Sequence, residues 1–361
     1  AVWAAVNFIS GTLAGLPLEV YRRRRDGARE QVRGGVAAVL HDAVNDGMSS
    51  FDWRKYTFEQ VLTSGRALTF IERAPNGRVM NLWPLEPDRV KIRTGADGRR
   101  VYEYKPEGSA PRLYEASEII DIPFMLQRDQ LSHYSPITRC RDAIALAIAL
   151  TDYGSKYFQN GGVPPFVVTG NFQSVGAIKR AGEDFEAAVR EAAREGRQAL
   201  VVPAGVEIKG VGASPDDGQL LEAKRFAVEE IARVYSLPPV FLQDLTHGTF
   251  ANTEQQDLHF VKHTVKRWVE QAEQEMNLKL FGRAPRGGQF VEFNVDGLLR
   301  GDFKTRMDGY AQGIQNAILT PNEVRRRENL TDMPDADRLF VQGATVPIEG
   351  AGEQGETDGE V

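Results

Sequence analysis

Leu237-Pro238-Pro239-Val240-Phe241-Leu242 and, shortly after it, Thr246-His247-Gly248-Thr249-Phe250-Ala251-Asn252 form the most patterned stretch of this chain. The stretch separates two predicted helices. The first covers about 216–235 and ends before the prolines, because proline has no N–H to donate to the helical ladder. The second, longer helix follows the loop. Two helices that display an irregular loop without a catalytic constellation indicate a mechanical or interaction role rather than an active site.

Both helices are predicted by apolar residues that recur at steps of three or four. The stripe of the second helix spans about 28 residues, or roughly 42 Å of helix. Its members are Leu258, Val261, Val265, Trp268, Ala272, Met276 and Leu280. The stripe of the first helix consists of Leu220, Ala227, Ile231 and Val234.

Composition indicates a soluble globular protein, with 42% hydrophobic and 26% charged residues in a chain of 361. That length allows two or three domains. A net charge of -6 argues against a generally cationic nucleic-acid binder. The single cysteine, Cys140, excludes an internal disulfide framework, and its apolar neighbours predict a buried structural thiol. No apolar run approaches the roughly 20 residues that span a bilayer, and the apolar start lacks the basic leader of a signal peptide.

The first part of the chain, 1–133, is predicted to be one α+β unit. A helix over residues 2–14 precedes a strand at Leu18–Tyr21, and a second helix runs from Trp53 to Thr63. Two hairpins should follow, because Asn76-Gly77 and Asp97-Gly98 accept the positive φ that tight turns require.

Three later helices are predicted to begin at 136, 215 and 321, where a hydroxyl residue precedes proline. The helix from Pro136 to about Gln159 is apolar on nearly every face and should be packed from several sides. A small α/β insert should follow it, with strands at Phe166–Thr169, Ala199–Val202 and Val206–Val211 around a helix near Ser174–Glu195. The acidic stretch from Pro347 should be flexible or ordered only by a partner.

The motifs of the common catalytic and phosphate-binding sites are absent from the sequence. It contains no GxxxxGK[ST] loop, no HExxH and no GxSxG, so it predicts no catalytic residue and no cofactor. His259 and His263 have the spacing of two metal ligands on one helix, but no third ligand is evident. A solvated or intersubunit face explains this pair better, and no metal site is predicted. Asp216-Asp217 fits the positive end of a helix dipole better than a catalytic pair.

Basic residues occur in three places. Arg22–Arg25 and Arg325–Arg327 are runs that fit a solvated or subunit-pairing surface better than a phosphate site. Lys262, Lys266 and Arg267 lie on the long helix, where they could face a polyanion or a neighbouring subunit. Lys262 and Lys266 are predicted to share a face of that helix.

An ordered series of motifs resembles the portal proteins of tailed bacteriophages, a family typical of long-tailed phages and of their prophage and gene-transfer-agent relatives. The resemblance spans about residues 1–345. Two departures are the Arg267 that stands where relatives often have proline, and the lack of a Pro-Asn in Asn45–Asp52. The motifs are Ser10–Tyr21, Ser135-Pro136-Ile137, Asp217–Glu222, Glu230–Arg233, Leu237–Pro239, Thr249–Gln255, Phe260, Glu275–Asn277 with Leu280, and Pro321–Arg325.

The resemblance implies an α+β portal-protein fold for the whole chain, which divides into the parts of a portal subunit. The parts are a wing (1–133), a stem helix (134–160), a clip (161–215), a second stem helix (216–236), a hinge and tunnel loop (237–253), a long helix with a wing strand (254–300), a crown (301–345) and an acidic tail (346–361). The expected DNA-channel residues of the tunnel loop are His247, Gly248, Thr249, Phe250 and Asn252.

The resemblance also implies partners and a location. The chain is expected to form a dodecameric ring at one capsid vertex, assembled in the bacterial cytoplasm, through which double-stranded DNA enters and leaves. The terminase motor, a head-tail adaptor and the major capsid protein are the expected partners, and no membrane is involved. Two alternatives remain: another head or tail structural protein, and a packaging enzyme such as a nuclease or ATPase.

Overall fold

The computed structural model describes residues 1–25, 27–159, 166–170, 174–195, 207–210, 217–242, 256–283, 288–295, 298, 303–328 and 330–340. Helices and separate small sheets are mixed along the chain, which confirms the predicted α+β class. The chain divides into one unit that ends at Asn294 and a second that begins at Val295. None of the helices in the described part is both long and apolar enough to cross a membrane.

The first unit begins with three helices, α1 (Val2–Gly15), α2 (Val36–His41) and α3 (Ser50–Thr63). Helices α1 and α3 pack against each other, and α3 also packs against a sheet. The predicted helix over residues 2–14 is confirmed by α1, which buries Val6, Ile9 and Leu13. Ser49 caps α3, since its side chain accepts a hydrogen bond from the N–H of Asp52 at 3.0 Å. The short α2 was not predicted, and Gly34-Gly35 precede it with positive φ.

The sheets of the first unit are small, and their described strand pairs are antiparallel. Their strands are β1 (Leu18–Arg23), β2 (Arg29–Gln31), β3 (Ala43–Asn45), β4 (Met48–Ser49), β5 (Arg66–Arg73), β6 (Val79–Leu85), β7 (Val90–Thr94), β8 (Arg100–Tyr104), β9 (Arg112–Glu115), β10 (Ile119–Pro123) and β13 (Gln289–Phe293). One sheet has the order β13-β1-β2, one β10-β5-β6 and one β7-β8-β9, while β3 and β4 form a separate pair.

Both predicted hairpins are confirmed. β5 pairs with β6 and β7 pairs with β8, and Gly77 and Gly98 have φ of 81° and 76° at the two turns. A core cluster of Leu68, Leu85, Tyr102 and Ile119 lies between these sheets. Local turn chemistry therefore sets the strand pairing, and burial of the apolar faces joins the hairpins.

The helix predicted from Pro136 is broken at Cys140. The helix start is confirmed, since Ser135 caps α4 (Pro136–Arg139), but Cys140 adopts φ -108° and ψ 20° before α5 (Arg141–Gln159) begins. Cys140 is half-buried, so the prediction of a buried thiol is wrong for this chain. Partial burial raises the pKa of this thiol.

The predicted insert is described in part. β11 (Phe166–Thr169) pairs antiparallel with β12 (Glu207–Gly210), and α6 (Val175–Glu195) lies between them in sequence. The predicted strand at Ala199–Val202 and the predicted helix start at 215 lie outside the described residues. The next described helix, α7 (Asp217–Val234), packs against α5.

The long helix contains a turn of a different kind. Residues 256–260 are helical, Val261–Val265 form a π turn, and α8 (Lys266–Phe281) continues as an α-helix. The predicted stripe is buried from Val261 onward, but Leu258 is 42% exposed and Phe260 is buried instead. The inclusion of Leu258 is therefore wrong, because the π turn rotates the first helical turn relative to the rest.

The second unit contains two described helices, α9 (Phe303–Gln315) and α10 (Pro321–Arg327). The helix start predicted at 321 is confirmed, and a capping box closes it, because Thr320 and Glu323 each bond the other's backbone N–H. Asn322 is fully buried, donates to the carbonyl of Met333 and accepts from its N–H. These bonds hold the segment after α10 against the helix.

Candidate functional site

The candidate site is the base of the loop between α7 and the long helix. The loop itself, with the predicted DNA-channel residues His247, Gly248, Thr249, Phe250 and Asn252, lies outside the described residues. The structure describes the chain up to Leu242 and again from residue 256. It therefore shows what holds the two ends of the loop.

Three phenylalanine rings join both ends of the loop to the first helix of the chain. Phe8 of α1, Phe241 before the loop and Phe260 after it pack with ring centroids 5.0–5.2 Å apart. Each such aromatic pair adds about 0.5–1.5 kcal/mol beyond the burial of its area. We call Phe8, Phe241 and Phe260 the phenylalanine triad. Sequence reasoning missed Phe8 because the contact joins residues that are far apart in sequence.

The end of α7 is held by two further contacts. Tyr235 donates from its hydroxyl to the carbonyl of Leu62 at 3.1 Å, and burial raises the pKa of Tyr235 to about 12. Ser236 has a left-handed φ of 52°, and the N–H of Leu237 returns to the carbonyl of Ala232 at 3.0 Å. This left-handed cap turns the chain towards Pro238-Pro239 and the short helix Pro239–Leu242.

Ser236 also contacts the long helix across the base of the loop. The hydroxyl of Thr264, which is almost completely buried, donates to the carbonyl of Ser236. Thr264 lies inside the π turn. One hydrogen bond thus connects the chain just before the loop to the helix just after it, and neither residue carried a signal in the sequence.

The three predicted basic residues of the long helix have different surroundings. Lys262 is exposed, and the described part shows no ion pair to it. Lys266 is exposed and lies 3.6 Å from Glu270. The Arg267 guanidinium packs over the rings of Trp268 and Phe124 at 4.4 and 5.1 Å and donates to the carbonyl of Phe124 at 2.9 Å. Burial lowers the pKa of Arg267.

His259 and His263 are both exposed, with ring centroids 4.3 Å apart. In the part of the chain that the structure describes, no group of three or more His, Cys, Asp or Glu side chains could hold a metal ion. Two imidazoles supply only half of the four ligands that a structural zinc site uses.

On the C-terminal side of the π turn, α8 is held by polar contacts to the edge strands of two sheets. The carboxylate of Glu275 accepts from the N–H of Asp121 in β10 at 3.0 Å, and that of Glu273 accepts from Phe293 in β13 at 2.7 Å. Asn277 bonds both the N–H and the carbonyl of Val291. Burial raises the pKa of Glu273 and of Glu275. These contacts fix α8, whereas the helix before it is held at the base of the loop by the triad and by the hydrogen bond of Thr264.

The two basic runs make mostly local contacts. Arg24 lies 3.5 Å from Glu30, and the Arg23 guanidinium packs over Phe290 at 5.3 Å. In the second unit, Arg326 pairs with Asp332 and Asp337 at 2.7 and 3.1 Å, and Arg325 donates to the carbonyl of Thr331. All of these arginines except Arg325 are exposed, as expected for a solvated surface.

Known proteins resemble the chain in sequence. The model of the family described as phage portal protein matches residues 1–329. A probable portal protein of Streptomyces phage phiC31 is 32% identical over 348 residues, which cover 93% of this chain and 75% of that protein. The portal protein of Enterobacteria phage HK97 is 26% identical over 353 residues, covering 96% and 82%.

Solved structures share the fold. A chain of the native gene transfer agent virion matches with a TM-score of 0.63 at 19% identity, covering 92% of this chain and 90% of that one. An HK97-family phage portal protein from Corynebacterium diphtheriae matches with a TM-score of 0.58 at 16% identity, covering 82% and 93%. The family match over most of the length and the fold agree with the motif series that surrounds the loop. This chain is therefore a member of the phage portal protein family.

Proposed function

We propose that this chain forms a closed ring at one vertex of a phage or gene-transfer-agent capsid and that double-stranded DNA passes through the axial channel. The family membership supports the role. A gene transfer agent neck computed with C12 symmetry has the same fold, with a TM-score of 0.60 at 20% identity, and supports a ring of twelve copies. The portal vertex of the particle is accordingly the proposed location.

The main support for ring formation is that the paired helices α5 and α7 leave large apolar side chains exposed in a single copy. Ile148 of α5 is 56% exposed, and Phe226 of α7 is 52% exposed. The prediction that α5 is packed from several sides is not met within one chain, because α7 covers only part of its surface. A second copy would bury these side chains, and exposed apolar patches of this kind typically mark interfaces between proteins.

A cleft of about 480 Å³ extends the same surface. It lies between the start of α1 and the two paired helices, and its apolar lining includes the exposed Trp3 together with Ile144, Val228 and Ile231. Aromatic side chains at the centre of an interface carry much of its binding free energy. We propose that a neighbouring copy covers this cleft.

The net charge supports passage of DNA rather than tight binding. Each copy carries -6, so a ring of such copies is acidic as a whole. Duplex DNA carries one phosphate charge per about 1.7 Å, and a uniformly basic channel would bind every passing phosphate. We propose that the loop at 243–253, with His247, Gly248, Thr249, Phe250 and Asn252, provides the few contacts to DNA.

The remaining parts receive roles by the same proposal. The insert at 161–215 is the clip that meets the terminase motor and later the head-tail adaptor, the first unit supplies the wing, and the second unit includes the crown. The major capsid protein surrounds the ring. We propose no catalytic activity, and the packaging-enzyme alternative predicts nucleotide or DNA hydrolysis by the purified protein.

Exchanging one exposed apolar side chain tests the ring. Negative-stain imaging and light scattering of the purified protein should show closed rings with a channel about as wide as a duplex. Phe226→Glu should reduce the rings to smaller species, because it places a charge in the proposed contact. Arg225→Gln, at the exposed neighbouring position, is the control and should leave them intact. Unchanged rings in Phe226→Glu would remove this interface from the proposal, and an assembly without an axial channel would contradict the portal role.

A further inference from the structure

The π turn at Val261–Val265 is not explained by the proposed ring assembly or by the proposed passage of DNA. At its end the N–H of Lys266 donates to the carbonyl of Val261, five residues back instead of the four of an α-helix. Such single turns are rare, and they occur often at functional sites. The turn lies directly between the fixed helix α8 and the segment 256–260 that leads to the loop.

Burial along the helix shows what the turn does. The residues Phe260, Thr264, Trp268, Ala272, Met276 and Leu280 are all buried, at a strict spacing of four. Four residues of α-helix advance about 400°, so this spacing drifts by about 40° at each step. A π turn contains more residues per 360° than an α-helical turn, so it cancels part of this rotation of the buried face. The π turn therefore keeps Phe260 on the side of the helix that packs against Phe8 and Phe241.

The turn holds one residue more than an α-helix needs. Without one exposed residue such as Lys262, the positions of Phe260, Thr264 and Trp268 would follow the spacing i, i+3, i+7. That is the spacing of one face of an α-helix. The helix on both sides would keep its present contacts.

We propose that this surplus residue is a register switch. The segment 256–260 exchanges between the observed π register and an α register, and in doing so it passes one residue out of or into the loop. The exchange rotates the segment by about 100° and shifts it by about 1.5 Å along the helix axis, while α8 stays fixed by Glu273, Glu275 and Asn277.

Two contacts hold the observed register. Phe260 packs in the triad, and the Thr264 hydroxyl bonds the carbonyl of Ser236. The α register would withdraw the Phe260 ring from Phe8 and Phe241. The switch is a property of the helix itself, so it does not depend on whether the loop contacts DNA.

Two single-residue deletions in the full-length protein test the switch. Deleting Lys262 should leave a folded protein that melts no lower than the wild type, because it removes only the surplus residue. Deleting Gln274, an exposed residue of α8, should unfold the protein, because it rotates one half of the helix away from its contacts. Equal loss of folding in both deletions would overturn the proposal.

Hydrogen exchange followed by mass spectrometry supplies the second measurement. In the wild type, the amides of 257–264 should exchange at least about tenfold faster than those of 268–280, and deletion of Lys262 should remove this difference. Fraying from the loop end alone would persist in the deletion variant, and that result would overturn the switch. Thr264→Val, which removes the hydroxyl and keeps the shape, should speed exchange of 257–264 about fivefold. Unchanged exchange in that variant would show that the hydrogen bond from Thr264 to Ser236 does not stabilise the observed π register.

Discussion

Replacing Arg66 by methionine should destabilise the first unit by about 4 kcal/mol. The side chains of Arg66 in β5 and Asp121 in β10 are 1% and 2% exposed, and they are joined by two hydrogen bonds of 2.6 Å. Removing one partner of a buried ion pair costs about 3–5 kcal/mol, because it leaves the other charge in the core. Tyr102 at 2.6 Å and Arg100 at 3.7 Å still contact Asp121, which keeps the expected value below the top of that range.

The double variant separates the pair from its surroundings. Asp121→Val alone should cost a similar amount, since it leaves the buried guanidinium without its carboxylate. Arg66→Met together with Asp121→Val should cost less than the two single changes combined, by at least about 3 kcal/mol. The residual cost arises from the Tyr102 hydroxyl and the Leu131 carbonyl, which lose their partners at about 1–3 kcal/mol each.

Urea denaturation followed by tryptophan fluorescence measures these free energies. Measurements at several protein concentrations separate unfolding from dissociation of the assembly. Arg99→Met is the control. The Arg99 side chain is 82% exposed and its ion pair, at 3.6 Å, is with the exposed Asp97, and such a surface pair contributes less than about 1 kcal/mol. A loss below about 1 kcal/mol in Arg66→Met, or additive costs of the single variants in the double variant, would show that the two buried charges do not depend on each other.

Three further predictions concern other parts of the chain. Gly65→Ala should lower the free energy of unfolding by about 3 kcal/mol or more in a denaturant titration, because Gly65 has φ 87° and an added Cβ would clash with the carbonyl of Tyr134. Burial raises the pKa of Glu275 in the folded state, so the stability linked to its protonation is lost as pH rises from about 4.3 through the raised pKa. Glu275→Gln should therefore gain stability relative to the wild type over that window, and a constant difference in urea titrations from pH 4 to 7 would contradict this. Deleting Thr246–Asn252 should leave ring formation intact in negative-stain images but impair DNA filling or retention of particles, and loss of rings would show that the loop is structural.

The sequence predicts best where neighbouring residues decide the conformation. The turns at Asn76-Gly77 and Asp97-Gly98 need a positive φ that glycine supplies, and both hairpins form there. The caps at Ser135 and Thr320 work through atoms within three residues of each other. The stripe of the long helix was predicted from its spacing, and it is buried from Val261 onward.

The candidate site was predicted only in outline. The sequence places an irregular loop between two helices and gives the motif series of the family, which the match over residues 1–329 bears out. The channel role of His247, Gly248, Thr249, Phe250 and Asn252 stays a prediction. The residues that hold the loop base, among them Phe8 and Ser236, carried no local signal.

By itself, the sequence determined the α+β class, the order of most elements and the family, because turns, caps and apolar periodicity depend on residues close together in the chain. Only the tertiary structure decided the break at Cys140, the π turn and the triad that joins Phe8 to Phe241 and Phe260. Each of these depends on which surfaces meet in space. Buried residues at a strict spacing of four fit an α-helix whose buried face rotates along the axis, and they fit equally a helix in which a π turn cancels part of that rotation. Packing of Phe260 against Phe8 of α1 and the bond of Thr264 to Ser236 select the helix with the π turn.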